Sequence, residues 1–183
     1  MYLFYSEENR IINKEISSNL LYASIKRYFD ISGRKIPSKR ILNNLKYTDK
    51  GKPYIDDFIN FSISHTENIW AIIFYEKNCG LDIQVSRKGD LIKIGERVFS
   101  KSDVLKIKEH GDKVFFKLWT RKEAYIKAFG GTIFEEVPEL FNLDNKIYLN
   151  GYTIFDFDLI SDVYSSVCIE GIEDNLTIKK VKL

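Results

Sequence analysis

The sequence predicts an α+β fold built from two similar halves, on three observations. A short apolar strand followed by a helical periodicity opens the chain. Two pairs of strand-like segments are each joined by a short polar turn. One long amphipathic helix in the second half stops at a glycine pair. Each half thus supplies a principal helix and antiparallel strands, with a boundary near Asn78 and no sequence repeat between the halves.

Tyr2 to Tyr5 forms the first strand. From Asn9 to Asp30, Ile12, Ile16, Leu20 and Ala23 recur at helical spacing, and Ser32-Gly33 ends the helix. A short helix is expected between Lys35 and Leu45, after Pro37, and Asp49 to Pro53 reads as a turn. Phe61 to Ser64 alternates apolar and polar residues, and Ile69 to Tyr75 is continuously apolar. His65 to Asn68 is the turn between them. Cys79 to Val85 is the next strand. Leu91, Ile94 and Val98 share a helix face, and Ser100 and Asp112 are candidate caps of two further helices, the second reaching Phe129 before Gly130-Gly131. Strands follow at Lys146 to Leu149, Tyr152 to Ile160, Val163 to Glu170 and Leu176 to Lys182. Asn150-Gly151 marks a tight hairpin.

The 183 residues suffice for one ordinary domain or two small lobes sharing a core. Hydrophobic residues at 44% and charged residues at 30% describe a globular chain rather than a disordered one. A net charge of +2, from 28 basic and 26 acidic residues, gives no basic face for nucleic acid. No apolar run approaches the roughly 20 residues of a membrane span. The first residues lack a signal-peptide pattern, so no membrane partner and a cytoplasmic location are expected. Cys79 and Cys168 suit reduced core thiols. The zinc, HExxH, phosphate-loop and dinucleotide-fold motifs are absent.

Three places could carry chemistry. In Gly80 to Val85, alternation puts Asp82 and Gln84 on one strand face, where carboxylate and amide oxygens suit a hard cation such as Mg²⁺. A rim carboxylate paired with a lysine would look the same. On the long helix, Trp119, Glu123 and Lys127 stack at i, i+4 and i+8. Glu123 and Lys127 read either as a surface ion pair worth ~0.3–0.5 kcal/mol or, beside the bulk of Trp119, as a metal ligand and a phosphate contact. Ser64 and His65 are either a structural turn or donors to an anion, but point apart and form no nucleophile–base pair.

Phe61 to Thr66, Gly80 to Gln84 and Trp119 to Gly130 occur in the order and approximate spacing of the 4′-phosphopantetheinyl transferase superfamily, with Gly51-Lys52-Pro53 as a fourth element. The chain resembles its surfactin-synthetase-activating, two-lobe type. The resemblance implies two pseudo-symmetric lobes, 1–77 and 78–183, with the ligand cleft between them and the metal site in the second. It implies an Mg²⁺-dependent enzyme that transfers the phosphopantetheine arm of coenzyme A, its co-substrate, to a serine of an apo acyl or peptidyl carrier protein. Asp82 and Glu123 would bind the metal with Gln84. Lys127 would contact the attacked phosphate, with Lys122 nearby. Lys52 and Pro53 would line the nucleotide pocket, and Ser64 and His65 would hold the 3′-phosphate. The carrier would dock beside Phe99 to His110. Glu123 is the candidate base, directly or through a water on the metal.

Two departures stand out. Gln84 replaces a glutamate common in relatives, which removes a charge from the metal site. The first lobe is short, so Arg10, Lys14 and Lys26 are only stand-ins for the usual 3′-phosphate grip. A monomer is expected. The rival reading is a non-catalytic module that binds coenzyme A or a carrier on the same fold.

Overall fold

In the computed structural model, which describes residues 1–33, 35 and 38–183, two four-stranded sheets lie face to face and each carries a helix on its outer side. The first contains β1 (Tyr2–Glu7), β4 (Asn60–Thr66), β5 (Ile69–Tyr75) and β10 (Lys179–Lys182), in the order β10-β1-β5-β4. The second contains β6 (Cys79–Val85), β7 (Lys146–Leu149), β8 (Tyr152–Asp156) and β9 (Val163–Glu170), in the order β6-β9-β8-β7. All pairings are antiparallel except β1 with β10. The fold is α+β.

Helix α1 (Lys14–Ile31) buries Ile16, Leu21, Ile25 and Tyr28 on the outer face of the first sheet, against Phe4, Trp70, Ile72 and Phe74. The inner face of that sheet gives Leu3, Ile69, Ala71 and Ile73 to a core completed by Leu81, Ile83, Val167 and Ile169 of the second sheet. This double coverage explains why β5 is apolar along its length. Beyond the second sheet, helices α2 (Leu91–Val98), α3 (Lys101–His110) and α4 (Asp112–Phe129) cover its outer face. Phe116, Leu118, Ala124 and Ala128 of α4 pack with Ile154 and Cys168.

Several boundaries move, each for a local reason. The first helix begins at Lys14 rather than Asn9, because the Asn13 side chain accepts from the Ile16 N–H at 2.9 Å. The preceding residues are tied instead to the β4–β5 turn through Ile12 N to Glu67 O and Glu8 N to Asn68 O. His65 and Thr66 belong to β4, and the turn contracts to Glu67-Asn68, with Glu67 at φ +51°. The helix expected after Pro37 is a 3₁₀ helix over Lys39–Asn44, while Pro37 itself lies outside the described residues. Two three-residue strands, β2 (Leu45–Tyr47) and β3 (Pro53–Ile55), flank the predicted turn. Ile94 is exposed, and Gly95 takes its place on the buried face of α2. Ser100 caps α3 as expected, but Asp112 is the first residue of α4 and Gly111 occupies the cap. Strand β8 stops at Asp156, short of Ile160, and β10 begins at Lys179. Both cysteines are buried and unpaired, with burial pushing the Cys79 thiol up to about 12.

Two contacts set up the site. A Cβ on Gly80 would sit 1.9 Å from the Ala124 carbonyl oxygen, so only glycine lets α4 lie directly on β6. Strands β4 and β6, each at the edge of its sheet, are joined by side chains rather than a backbone ladder. Ser62 Oγ, Ser64 Oγ and Thr66 Oγ1 accept from the N–H groups of Leu81, Ile83 and Val85 at 3.0, 3.2 and 3.4 Å.

Candidate active site

Because α4 rests on Gly80, the residue two places on, Asp82, faces the helix where Glu123 and Lys127 lie one turn apart. Asp82 is only 5% exposed. Its Oδ1 accepts from Lys127 Nζ at 2.6 Å and from Ser64 Oγ at 2.9 Å. Its Oδ2 is buried and, among the described residues, has no hydrogen-bond partner. Leaving a carboxylate oxygen in that state costs about 1–3 kcal/mol or more.

Glu123 is half-buried, and among the described residues no hydrogen bond or ion pair reaches its carboxylate. Burial raises its pKa above the usual glutamate range and the charge of Asp82 raises it further, while Lys127 and Lys122 pull the other way. Two carboxylates thus share one small volume with one ammonium. Gln84 lies two residues beyond Asp82, and its amide nitrogen donates to Val85 O at 2.9 Å and reaches Thr66 Oγ1 at 3.5 Å, which leaves the amide oxygen for another partner. Among the described residues no cluster of three His, Cys, Asp or Glu side chains exists, so an ion here would rest on two carboxylates and an amide. That donor set, all oxygen, fits Mg²⁺, and the unpartnered Oδ2 is where such an ion would be held.

The other expected residues divide. Lys127 is one-third exposed and lines a cleft of about 200 Å³. The β2–β3 hairpin supplies Lys50, Gly51, Lys52 and Pro53 to that cleft, and Gly130 and Gly131 close it. Lys52 and Pro53 are therefore beside the site. The Lys52 ammonium, however, is spent on the carbonyls of Cys79 at 3.0 Å and Ala128 at 2.7 Å and on the Asn78 side chain. Lys122 is placed away from the cleft: it is 3% exposed and donates to Val98 O at the end of α2. Ser64 and His65 face opposite ways. Ser64 is buried against Asp82, whereas His65 is exposed, with a pKa lowered by partial desolvation and then by the Lys127 charge, against a smaller opposing pull from Asp82. The larger cleft of about 750 Å³ lies at the other end of α4, lined by Lys113, Lys117, Leu159 and Tyr164, away from the carboxylates.

Sequence reasoning missed the groups that hold the 130–145 segment over α4. Arg121, fully buried, donates to Asp156 through Nε at 3.0 Å and Nη2 at 2.7 Å, and to Leu140 O at 2.7 Å. Asp103, also buried, accepts from the backbone N–H groups of Leu140 and Phe141 and from Ser100 Oγ. Burial raises the Asp103 pKa, partly offset by these donors. A charged residue in the middle of an amphipathic helix carries no mark in the sequence that it will be buried.

Residues 78–166, which contain Asp82, Gln84, Glu123 and Lys127, match the profile of the 4′-phosphopantetheinyl transferase superfamily. The 4′-phosphopantetheinyl transferase gsp of Aneurinibacillus migulanus is 30% identical over 189 aligned positions, covering 95% of this chain and 78% of the relative. The 4′-phosphopantetheinyl transferase HetI of Nostoc is 32% identical over 98 positions, 48% of this chain and 41% of the relative. The 4′-phosphopantetheinyl transferase Sfp of Bacillus subtilis is 38% identical over 87 positions, 44% of this chain and 38% of the relative. Matched along nearly its whole length by one such transferase, and over residues 78–166 by the family profile, the chain belongs to the 4′-phosphopantetheinyl transferase superfamily.

Proposed function

We propose that the protein transfers the 4′-phosphopantetheine arm of coenzyme A to a serine hydroxyl of an apo carrier protein, with Mg²⁺ held by Asp82, Glu123 and the amide oxygen of Gln84. One observation carries the reading: a buried carboxylate oxygen of Asp82 without a partner, beside a second carboxylate whose pKa that same Asp82 helps to raise. A bound Mg²⁺ supplies positive charge to phosphate oxygens that become more negative as the leaving nucleotide departs. Lys127, which borders both Asp82 and the cleft, stabilises charge on the attacked phosphate. Glu123, the second carboxylate of the pair and half-buried beside Asp82, takes the serine proton. The serine oxygen bonds to the phosphorus that carries pantetheine, the pyrophosphate bridge breaks, and adenosine 3′,5′-bisphosphate leaves. The hairpin residues Lys50 to Pro53 and the exposed face of His65 border the nucleotide. Lys122, tied to Val98 O, positions the helix turn that carries Glu123. The carrier docks along α3, and the protein acts as a cytoplasmic monomer.

The test is to incubate the protein with coenzyme A, Mg²⁺ and a panel of fatty-acid, polyketide and nonribosomal-peptide apo carriers, and to weigh the carriers by mass spectrometry. The expected result is a gain of one phosphopantetheine arm, abolished by a chelator. Tight coenzyme A binding with no gain on any carrier would replace this reading with that of a non-catalytic binding module.

A further inference from the structure

Ser64 is the residue whose expected role and observed contacts differ most. A serine hydroxyl has one proton to give and two lone pairs to receive with. All three are in use. The proton goes to Asp82 Oδ1 at 2.9 Å, and the oxygen receives the Ile83 N–H at 3.2 Å and the Lys127 ammonium at 3.1 Å. Ser64 is 3% exposed, on the β4 face turned toward β6, opposite to His65. Nothing remains with which to hold a phosphate oxygen unless the carboxylate is released.

The same three contacts fix the carboxylate. Ser64 is anchored to the backbone of the residue that follows Asp82, so its hydroxyl is set relative to the strand. Through Oδ1 it fixes the torsion of the Asp82 side chain. The consequence is that Oδ2, and not Oδ1, is left without a partner. We infer that Ser64 is a positioning residue: it spends its proton on Oδ1 so that the buried Oδ2 of Asp82 is presented to the divalent cation, and it is not a ligand of the coenzyme's 3′-phosphate. The inference rests on the metal site of the proposed function. Its neighbour Ser62 makes the same kind of rung, to Leu81 N at 3.0 Å, but touches no carboxylate, and so supplies an internal control.

The experiment titrates Mn²⁺, in the absence of nucleotide, into the wild type, Ser64→Ala and Ser62→Ala, reading free ion by electron paramagnetic resonance. Loss of an outer partner that orients a ligand is expected to weaken ion binding about 10- to 100-fold in Ser64→Ala, with Ser62→Ala unchanged. The preference for coenzyme A over 3′-dephospho-coenzyme A is expected to be the same in Ser64→Ala as in the wild type. Wild-type Mn²⁺ affinity in Ser64→Ala, or loss of that preference, would overturn the inference while leaving the proposed function standing. A wild type that binds no Mn²⁺ would overturn both. Should Ser64→Ala fail to fold, the isosteric pair Ser64→Thr and Ser64→Val decides. Threonine, which keeps the hydroxyl, is expected to bind the ion as the wild type does, and valine to bind it about 10- to 100-fold more weakly; equal affinities would overturn the inference.

Discussion

At the scale of single residues, the site keeps two acids together at a cost to stability. The folded state raises the pKa of Glu123, so ionising it is harder in the folded chain than in the unfolded one. Its contribution is therefore neutral below the ordinary glutamate range, and stability is lost as pH rises from that range through the raised value. Glu123→Gln is expected to melt higher than the wild type at pH 7 in the presence of a chelator. The difference should shrink toward zero as pH falls to the ordinary glutamate range, as read by thermal melts across pH. In turnover the same substitution, like Asp82→Asn, is expected to lose about 10²-fold or more, measured by carrier modification at saturating coenzyme A. Strand alternation pairs Asp82 with Gln84 and the i, i+4 spacing pairs Glu123 with Lys127, but that strand and helix converge was legible only through the family resemblance. The rotamers were not legible. Spacing brings Lys122 and Lys52 near the site, but it does not say that one ammonium will turn to Val98 O and the other to the Ala128 carbonyl.

At the scale of elements, the end of α4 is gripped from two sides. Lys52 ties the β2–β3 hairpin to the carbonyls of Ala128 and Cys79, and a Cβ on Gly130 would clash with Lys50 at 2.7 Å. Lys52→Met is expected to free the hairpin, seen as faster amide exchange over Lys46 to Ile55, with weaker coenzyme A binding in calorimetry. Arg121 does for the 130–145 segment what Lys52 does for the hairpin. Arg121→Met leaves Asp156 with the Lys117 ammonium at 3.2 Å and the Ser166 hydroxyl at 2.9 Å, and should destabilise the protein by about 3 kcal/mol. Adding Asp156→Leu should recover part of that in denaturant melts. Elements with a continuous apolar run or a glycine-marked turn, such as β5, β6, β7 and β9, are legible to the residue. The three-residue strands β2 and β3 are too short to show a period, and the start of α1 is set by Asn13 and by contacts to Glu67 and Asn68, which lie far off in sequence.

At the scale of the whole molecule, layers of helix, sheet, sheet and helix place the proposed cation site at the seam between the sheets, where β4 and β6 meet through hydroxyls. Replacing Ser62 and Thr66 together by alanine and valine should lower the melting temperature by removing two rungs, yet leave the far-ultraviolet spectrum unchanged, since neither sheet's own ladder is touched. No helix among the described residues is long and apolar enough to cross a membrane. What the sequence could not reveal at this scale is the partner of the last strand. A lysine-rich tetrapeptide fits many edges, and only the three-dimensional path brings it to β1.

That pairing bears on how the chain comes together as it is made. Lys179–Lys182 lies far downstream of its parallel neighbour, with β5 between them in the sequence. Until those residues have been synthesised, Leu3 and Phe4 belong to a strand bonded to β5 alone, with its other side open to any passing extended chain. The growing polypeptide can bring β1, β5 and β4 together before that edge is covered, so this interval is when a chaperone would protect it most.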